Sequence, residues 1–173
     1  DKKPVVVWNM TKRCNLKCVH CYAHAKDAFF KGNELNTEEG KRLIDDLAQF
    51  GSPVMLFSGG EPVLREDLPE LIDYAVKKGM RAVISTNGTL ITEEKARIFA
   101  RFNLSYIGVS LDGIGDVNDS FRGAKGAYNK ALAGIRNAKK AGIKVGLRFT
   151  INKRNYKEIP KIFDLIHKEG VER

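Results

Sequence analysis

No apolar run in this 173-residue chain approaches the length that crosses a bilayer, so a membrane-spanning helix is not expected. No secretory leader is visible either, and the abrupt opening at Asp1-Lys2-Lys3 is what a chain with a missing upstream segment would show. Low-complexity sequence is absent. Cysteine is scarce: three residues, Cys14, Cys18 and Cys21, all within eight positions. A secreted disulfide scaffold would show an even number spread along the chain, so the cluster points to a reducing compartment, the cytoplasm, and to a metal site. The basic residues form no long block. Their surplus is real (30 against 21 acidic, net +9) but is spread over helix-like stretches such as Arg136-Asn137-Ala138-Lys139-Lys140. Most of that charge reads as solvated helix surface, and it favours an anionic partner only weakly. An aromatic-interleaved basic strand or a recognition-helix pattern is also missing, which argues against nucleic acid.

What is present is an ordinary globular composition, 43% hydrophobic and 29% charged, long enough to bury a core. Short β-branched runs at 5–9, 54–57, 82–85, 106–110 and 145–151 alternate with helical patterns at 38–50, 68–78, 93–102, 127–141 and 156–168. The runs are nearly continuous in apolar character, as expected of parallel strands covered on both faces. Thr37, Asp67 and Thr92 stand where an N-cap oxygen is wanted, and Gly51, Gly79, Gly142 and Gly170 stand where a left-handed residue closes a last turn. Five strand–helix units of this kind predict βαβ repeats and a parallel sheet or barrel. Two connections, 14–36 and 111–126, exceed what a plain unit needs, and both follow a strand on the edge where α/β proteins place their sites.

Cys14-Asn15-Leu16-Lys17-Cys18-Val19-His20-Cys21 has the spacing C-x3-C-x2-C directly after the first strand. Soft thiolates on a short loop suit an iron–sulfur cluster, and three ligands leave one iron of a cubane open to a substrate or cofactor. Lys12, Arg13 and Lys17 are expected to favour the thiolate form. The alternative at this point is a structural zinc site completed by His20 or His24, as in a zinc-stabilised nucleic-acid-binding module. Further on, strand-end positions carry Ser58-Gly59-Gly60-Glu61-Pro62, Ser85-Thr86-Asn87-Gly88 and Ser110-Leu111-Asp112-Gly113. Each alone is a turn. Together they fall at the same end of successive strands, the expected site of a barrel of parallel strands.

The three-cysteine motif followed by Tyr22, with the Gly59-Gly60-Glu61-Pro62 turn, resembles the radical S-adenosylmethionine (SAM) superfamily over essentially the whole chain. That resemblance implies an α/β fold, a partial (β/α)6 TIM-like barrel of parallel strands, truncated after the fifth strand–helix unit. Residues 1–173 would then be a core domain incomplete at its C-terminus, with Val171 placed where a sixth strand would begin, and full substrate turnover would not be expected of it.

The resemblance further implies a [4Fe-4S] cluster on Cys14, Cys18 and Cys21, and SAM held by Gly59, Gly60, Glu61, Ser110 and Arg122. His20 and Leu147 would lie near adenine, and Asn87 would complete the cofactor-binding set. Read without the resemblance, Arg122 is a solvated loop arginine, Leu147 a core residue and His20 a loop residue. Reductive cleavage of SAM to a 5′-deoxyadenosyl radical is the implied chemistry, with a donor such as ferredoxin or flavodoxin. The opening from Asp1 to Asn9 running into Cys14 and the run Tyr22-Ala23-His24-Ala25 look like the haem-biosynthesis branch, didecarboxysirohaem deacetylase in type. An anionic tetrapyrrole is the substrate this implies; a peptide- or sulfatase-maturing enzyme shares the same motifs.

Overall fold

Five strands pair in parallel and in sequence order in a computed structural model that describes residues 3–172: β1 (Val6–Asn9), β2 (Val54–Ser58), β3 (Arg81–Thr86), β4 (Tyr106–Ser110) and β5 (Val145–Arg148). Asp1, Lys2 and Arg173, on which the reading of the two chain ends drew, lie outside the described residues. The helices are α1 (Thr37–Phe50), α2 (Leu68–Lys77), α3 (Glu93–Arg101), α4 (Asp116–Arg122), α5 (Ala127–Lys140) and α6 (Ile159–Glu169). Strict sequence order is the winding of a barrel wall: each crossover advances one strand, and the helices collect on one face. Among the described residues no helix is long and apolar enough to cross a membrane.

Side chains alternate across each strand, so the sheet has two chemically distinct faces. Met55, Phe57, Ile84, Ile107 and Val109 point one way and are fully buried with Ile44, Leu71, Ile72 and Ile135 of the helices. The opposite, concave face carries Val7, Leu56, Val83 and Tyr106 in one row of register partners. Val7 there is 51% exposed, while Val83 beside its neighbours is nearly covered. Val171 buries its side chain in the helix-side core, and its amide donates to the Ile166 carbonyl, closing α6. No strand is assigned at 171–172.

The caps are partly as expected. Thr92 caps α3 by accepting the Lys95 amide at 3.2 Å. At α1 the cap is Asn36, not Thr37: its Oδ1 accepts the Glu39 amide and Glu39 returns the favour to the Asn36 amide, each at 2.9 Å. Thr37 instead donates to Asp67 at 2.9 Å, and Asp67 is held by Arg65 rather than capping α2. A short helix, α4, occupies the connection read as a loop at 111–126, and β5 ends at Arg148 rather than 151.

Candidate functional site

The carboxyl ends of the strands surround a cavity of about 740 Å3, and Cys14, Cys18 and Cys21 all line it. The cysteine loop is pinned at both ends. Near its start the Cys14 amide donates to the Lys26 carbonyl at 2.9 Å and the Lys26 amide to the Lys12 carbonyl at 2.7 Å. Further along, Lys17 and Val19 donate to the carbonyls of Arg122 and Phe121, so the C-terminal turn of α4 clamps the loop. Gly123 just past that turn has φ +64°, and a Cβ there would sit 2.4 Å from the Lys17 carbonyl oxygen. Polar hydrogens are aimed at the sulfurs: Leu16 N–H at Cys14 and Ala25 N–H at Cys21, both 3.4 Å, and Arg122 Nη1 at Cys18, 3.7 Å.

Burial pushes the Cys14 thiol up to about 11, with the Leu16 amide pulling back. Burial also raises Cys18, and Arg122 opposes it. Of the lysines and arginine expected to favour the thiolates, Lys12 and Lys17 are exposed and Arg13 lies 3.8 Å from Glu34. The cation that counts is Arg122.

Arg122 is buried, not a solvated loop residue. Its Nη2 lies 2.6 Å from Asp112 Oδ2, and the same carboxylate oxygen is 3.2 Å from His20 Nε2. Asp112 is completely buried; its Oδ1 also accepts the Thr150 amide at 3.3 Å, and Asn155 holds its carbonyl. His20 packs edge-on against Phe121, with ring centroids 5.6 Å apart. Asp112 therefore ties two cavity residues together, although it was not singled out from the sequence. The signal was faint: an aspartate in a Ser-Leu-Asp-Gly turn reads as turn chemistry.

Gly59 and Gly60 line the cavity, but their immediate need for glycine comes from the chain itself. A Cβ at Gly59 (φ +127°) would meet the Thr11 carbonyl oxygen at 2.4 Å, and one at Gly60 the Arg13 carbonyl oxygen at 2.2 Å. The turn is laced against the segment leading into Cys14, with Gly60 and Glu61 amides donating to those same carbonyls at 2.7 Å.

Glu61 does not reach the cavity. It is wholly buried and accepts from Thr86 Oγ1 (2.7 Å), the Asn87 amide (2.8 Å) and the Val63 amide (3.1 Å), which fixes the end of β3 against the β2 turn. Burial nevertheless raises its carboxyl above the ordinary range, against the three hydrogen bonds. Asn87 and Ser110 do line the cavity; Asn87 Nδ2 reaches Asn15 at 2.9 Å and stands 4.0 Å from Cys14 Sγ. Leu147 does not. It pairs in register with Val109 on the helix-facing side and packs into the core, whereas Gly146 and Arg148 take the concave side.

The residues present fit an iron–sulfur cluster with an attached polar ligand. Three thiols share one cavity, each with a polar hydrogen nearby, and Arg122 Nε and His20 Nδ1 are buried without a hydrogen-bond partner among the described residues. No three His, Cys, Asp or Glu residues among those described converge as one metal ion requires, and His20 is engaged by Asp112.

Comparison with known proteins agrees with this geometry. The model of the Radical SAM superfamily matches residues 8–166. A curated relative named Fe-coproporphyrin III synthase, from Methanosarcina barkeri (strain Fusaro / DSM 804), is 69% identical over 173 residues, covering 100% of this chain and 43% of its own length. Another, named Pre-heme d1 synthase, from Dinoroseobacter shibae, is 47% identical over 99% of this chain and 42% of its own. The chain thus spans less than half the length of these relatives. Among solved structures, native anSMEcpe with bound AdoMet matches with a TM-score of 0.79 at 20% identity, over 96% of this chain and 48% of that one. Streptococcus suis SuiB bound to precursor peptide SuiA matches at 0.82 and 21%, over 96% and 37%. These two show the same fold. With its family model matched across 159 residues and its cysteines gathered at the strand ends, this chain belongs to the radical SAM superfamily.

Proposed function

We propose that this chain is the core domain of a radical SAM enzyme acting on an anionic tetrapyrrole in haem biosynthesis. The observation that carries the reading is the gathering of Cys14, Cys18, Cys21, Ser110 and the buried Arg122 around one cavity, in a chain whose relatives at 69% and 47% identity bear haem-pathway names. Cys14, Cys18 and Cys21 would hold a [4Fe-4S] cluster, with SAM beside it. Bound there, the two would supply reductive, one-electron cleavage of the sulfonium and hence radical chemistry on the substrate, given an external donor such as ferredoxin or flavodoxin.

The chain's own residues do the positioning. Arg122 keeps Nε for a carboxylate while Nη2 stays on Asp112, and the Ser110 hydroxyl lies on the same cavity wall. Asp112 fixes the guanidinium before any ligand arrives, so less entropy is lost on binding. Gly59 and Gly60 bring backbone to the cavity without side chains in the way, and Glu61, from behind, holds Thr86 and Asn87 in place.

The test is anaerobic. After reconstitution with iron and sulfide, SAM should perturb the spectrum of the reduced protein, and added coproporphyrin III should bind with a shifted visible absorption band. Arg122→Ala should weaken SAM binding by about 1–3 kcal/mol. Unchanged affinity in that variant would remove Arg122 from the SAM site. An absence of porphyrin binding, with a precursor peptide bound instead, would move the substrate to the peptide-maturing class.

A further inference from the structure

Arg148 is the one arginine withdrawn from solvent that has no carboxylate partner among the described residues. Among the described residues four arginines are buried or half-buried: Arg13, Arg65, Arg122 and Arg148. The first three face Glu34, Asp67 and Asp112, at 3.8, 2.6 and 2.6 Å. Among the described residues the Arg148 guanidinium makes one hydrogen bond, from Nη1 to the neutral hydroxyl of Ser85. A cation taken partly out of water without a counter-charge costs free energy, and such groups concentrate where a ligand supplies the missing charge.

Its setting makes it a receptor rather than a strut. Arg148 ends β5 on the concave face, at the edge of the cavity: it is not itself a lining residue, but its register partner Ser110 and its hydrogen-bond partner Ser85 both are. The side chain crosses β4 at Gly108, where a Cβ would sit 2.5 Å from its Nε and 3.0 Å from its Cζ. Gly108 pairs with Ser85 on one side and Gly146 on the other, so the guanidinium lies across a side-chain-free strip of sheet. One row nearer the amino ends of the strands lies the apolar row Val7, Leu56, Val83 and Tyr106, with Val7 half exposed. The concave wall therefore offers an apolar row next to a planar cation that has no carboxylate partner among the described residues.

We propose that Arg148 receives a carboxylate of the substrate, whose apolar body lies along the Val7-to-Tyr106 row. The substrate class is a large, flat molecule with peripheral acid groups. This rests on the tetrapyrrole reading above and gives that substrate its anchor, separate from the Arg122 that serves SAM. Arg148's planar fork suits a carboxylate better than a lysine would, because it can donate two parallel hydrogen bonds.

The experiment titrates the reconstituted protein with coproporphyrin III and with its tetramethyl ester, which keeps the ring and loses the charges. Arg148→Ala should weaken coproporphyrin III binding roughly 10- to 100-fold. The ester's affinity should be the same in wild type and variant, and Arg148→Lys should recover only part of the loss. Arg148→Met, which keeps the bulk over Gly108, should behave as Arg148→Ala, and retained SAM affinity in both shows that the fold is intact. Equal coproporphyrin III affinity in wild type and Arg148→Met overturns the proposal while leaving the tetrapyrrole reading in place. A loss of SAM affinity instead assigns Arg148 to the cofactor and overturns it as well. Failure of the wild type to bind either porphyrin removes the tetrapyrrole reading and the proposal with it.

Discussion

The two faces of the sheet are built from the same five strands and obey opposite rules. Toward the helices, Phe57, Ile84, Ile107 and Val109 are sealed from water, and each change there alters packing. On the concave side the same strands present Ser58, Ser85 and Ser110, two glycines and Arg148, which has no carboxylate partner among the described residues, next to a half-exposed Val7. One face stores stability and the other withholds it. That division lets a fold keep a polar, partly open site without unfolding, and it can be measured residue by residue.

Phe57→Ala on the helix side should cost the most, about 3–5 kcal/mol, because it removes a fully buried ring and leaves a cavity between Trp8 and the α2 layer. Chemical denaturation reads this directly. A loss under about 1 kcal/mol would mean the helix-facing layer is less tightly packed than its burial indicates.

Glu61→Gln should cost about 1–3 kcal/mol, since an amide nitrogen must then face a donor that now meets a carboxylate oxygen. Its pH dependence has a definite sign. Burial raises the Glu61 carboxyl above its ordinary 4.5, so over the window above that value the folded protein keeps a proton the unfolded chain has released. The stability tied to that proton is complete below 4.5 and is lost as pH rises through the folded value. The gap between wild type and Glu61→Gln should therefore shrink as pH rises through that window. A gap that widens would mean the hydrogen bonds to Glu61 outweigh its burial.

Val7→Thr, on the concave face of the edge strand, should change stability by no more than about 0.5 kcal/mol. The contrast with Phe57 one position on in the paired register is the point: Trp8 faces Phe57, and Val7 faces Leu56 on the other side. A large loss at Val7 would show that the concave wall carries core weight.

Much of this was legible in the sequence, for physical reasons that also mark where legibility stops. Nearly continuous apolar runs mark the five strands because the face away from the helices is apolar too, carrying Val7, Leu56, Val83 and Tyr106. The cysteine spacing needed no tertiary information, since all three cysteines sit on one loop. What escaped was anything decided by which way a side chain points. Leu147 was placed toward adenine, yet one residue of strand parity sends it to the core and gives the concave face to Arg148. Glu61 sits in the expected turn but faces inward, where it serves Thr86 and Asn87. The seven residues of α4 show no helical periodicity long enough to read, yet that helix clamps the cysteine loop. Asp112 is visible only when Arg122 and His20 are seen on either side of it.

The central claim is that the three thiols at the carboxyl edge of the sheet hold one cluster. The direct measurement is iron, sulfide and zinc content per chain after anaerobic reconstitution, with the paramagnetic spectrum of the reduced protein, for wild type and for Cys14→Ala, Cys18→Ala and Cys21→Ala. The account predicts about four irons and four sulfides per wild-type chain, a [4Fe-4S] spectrum, and its loss in every single variant. Stoichiometric zinc without sulfide, or a [4Fe-4S] spectrum that survives in any of the three variants, would contradict it.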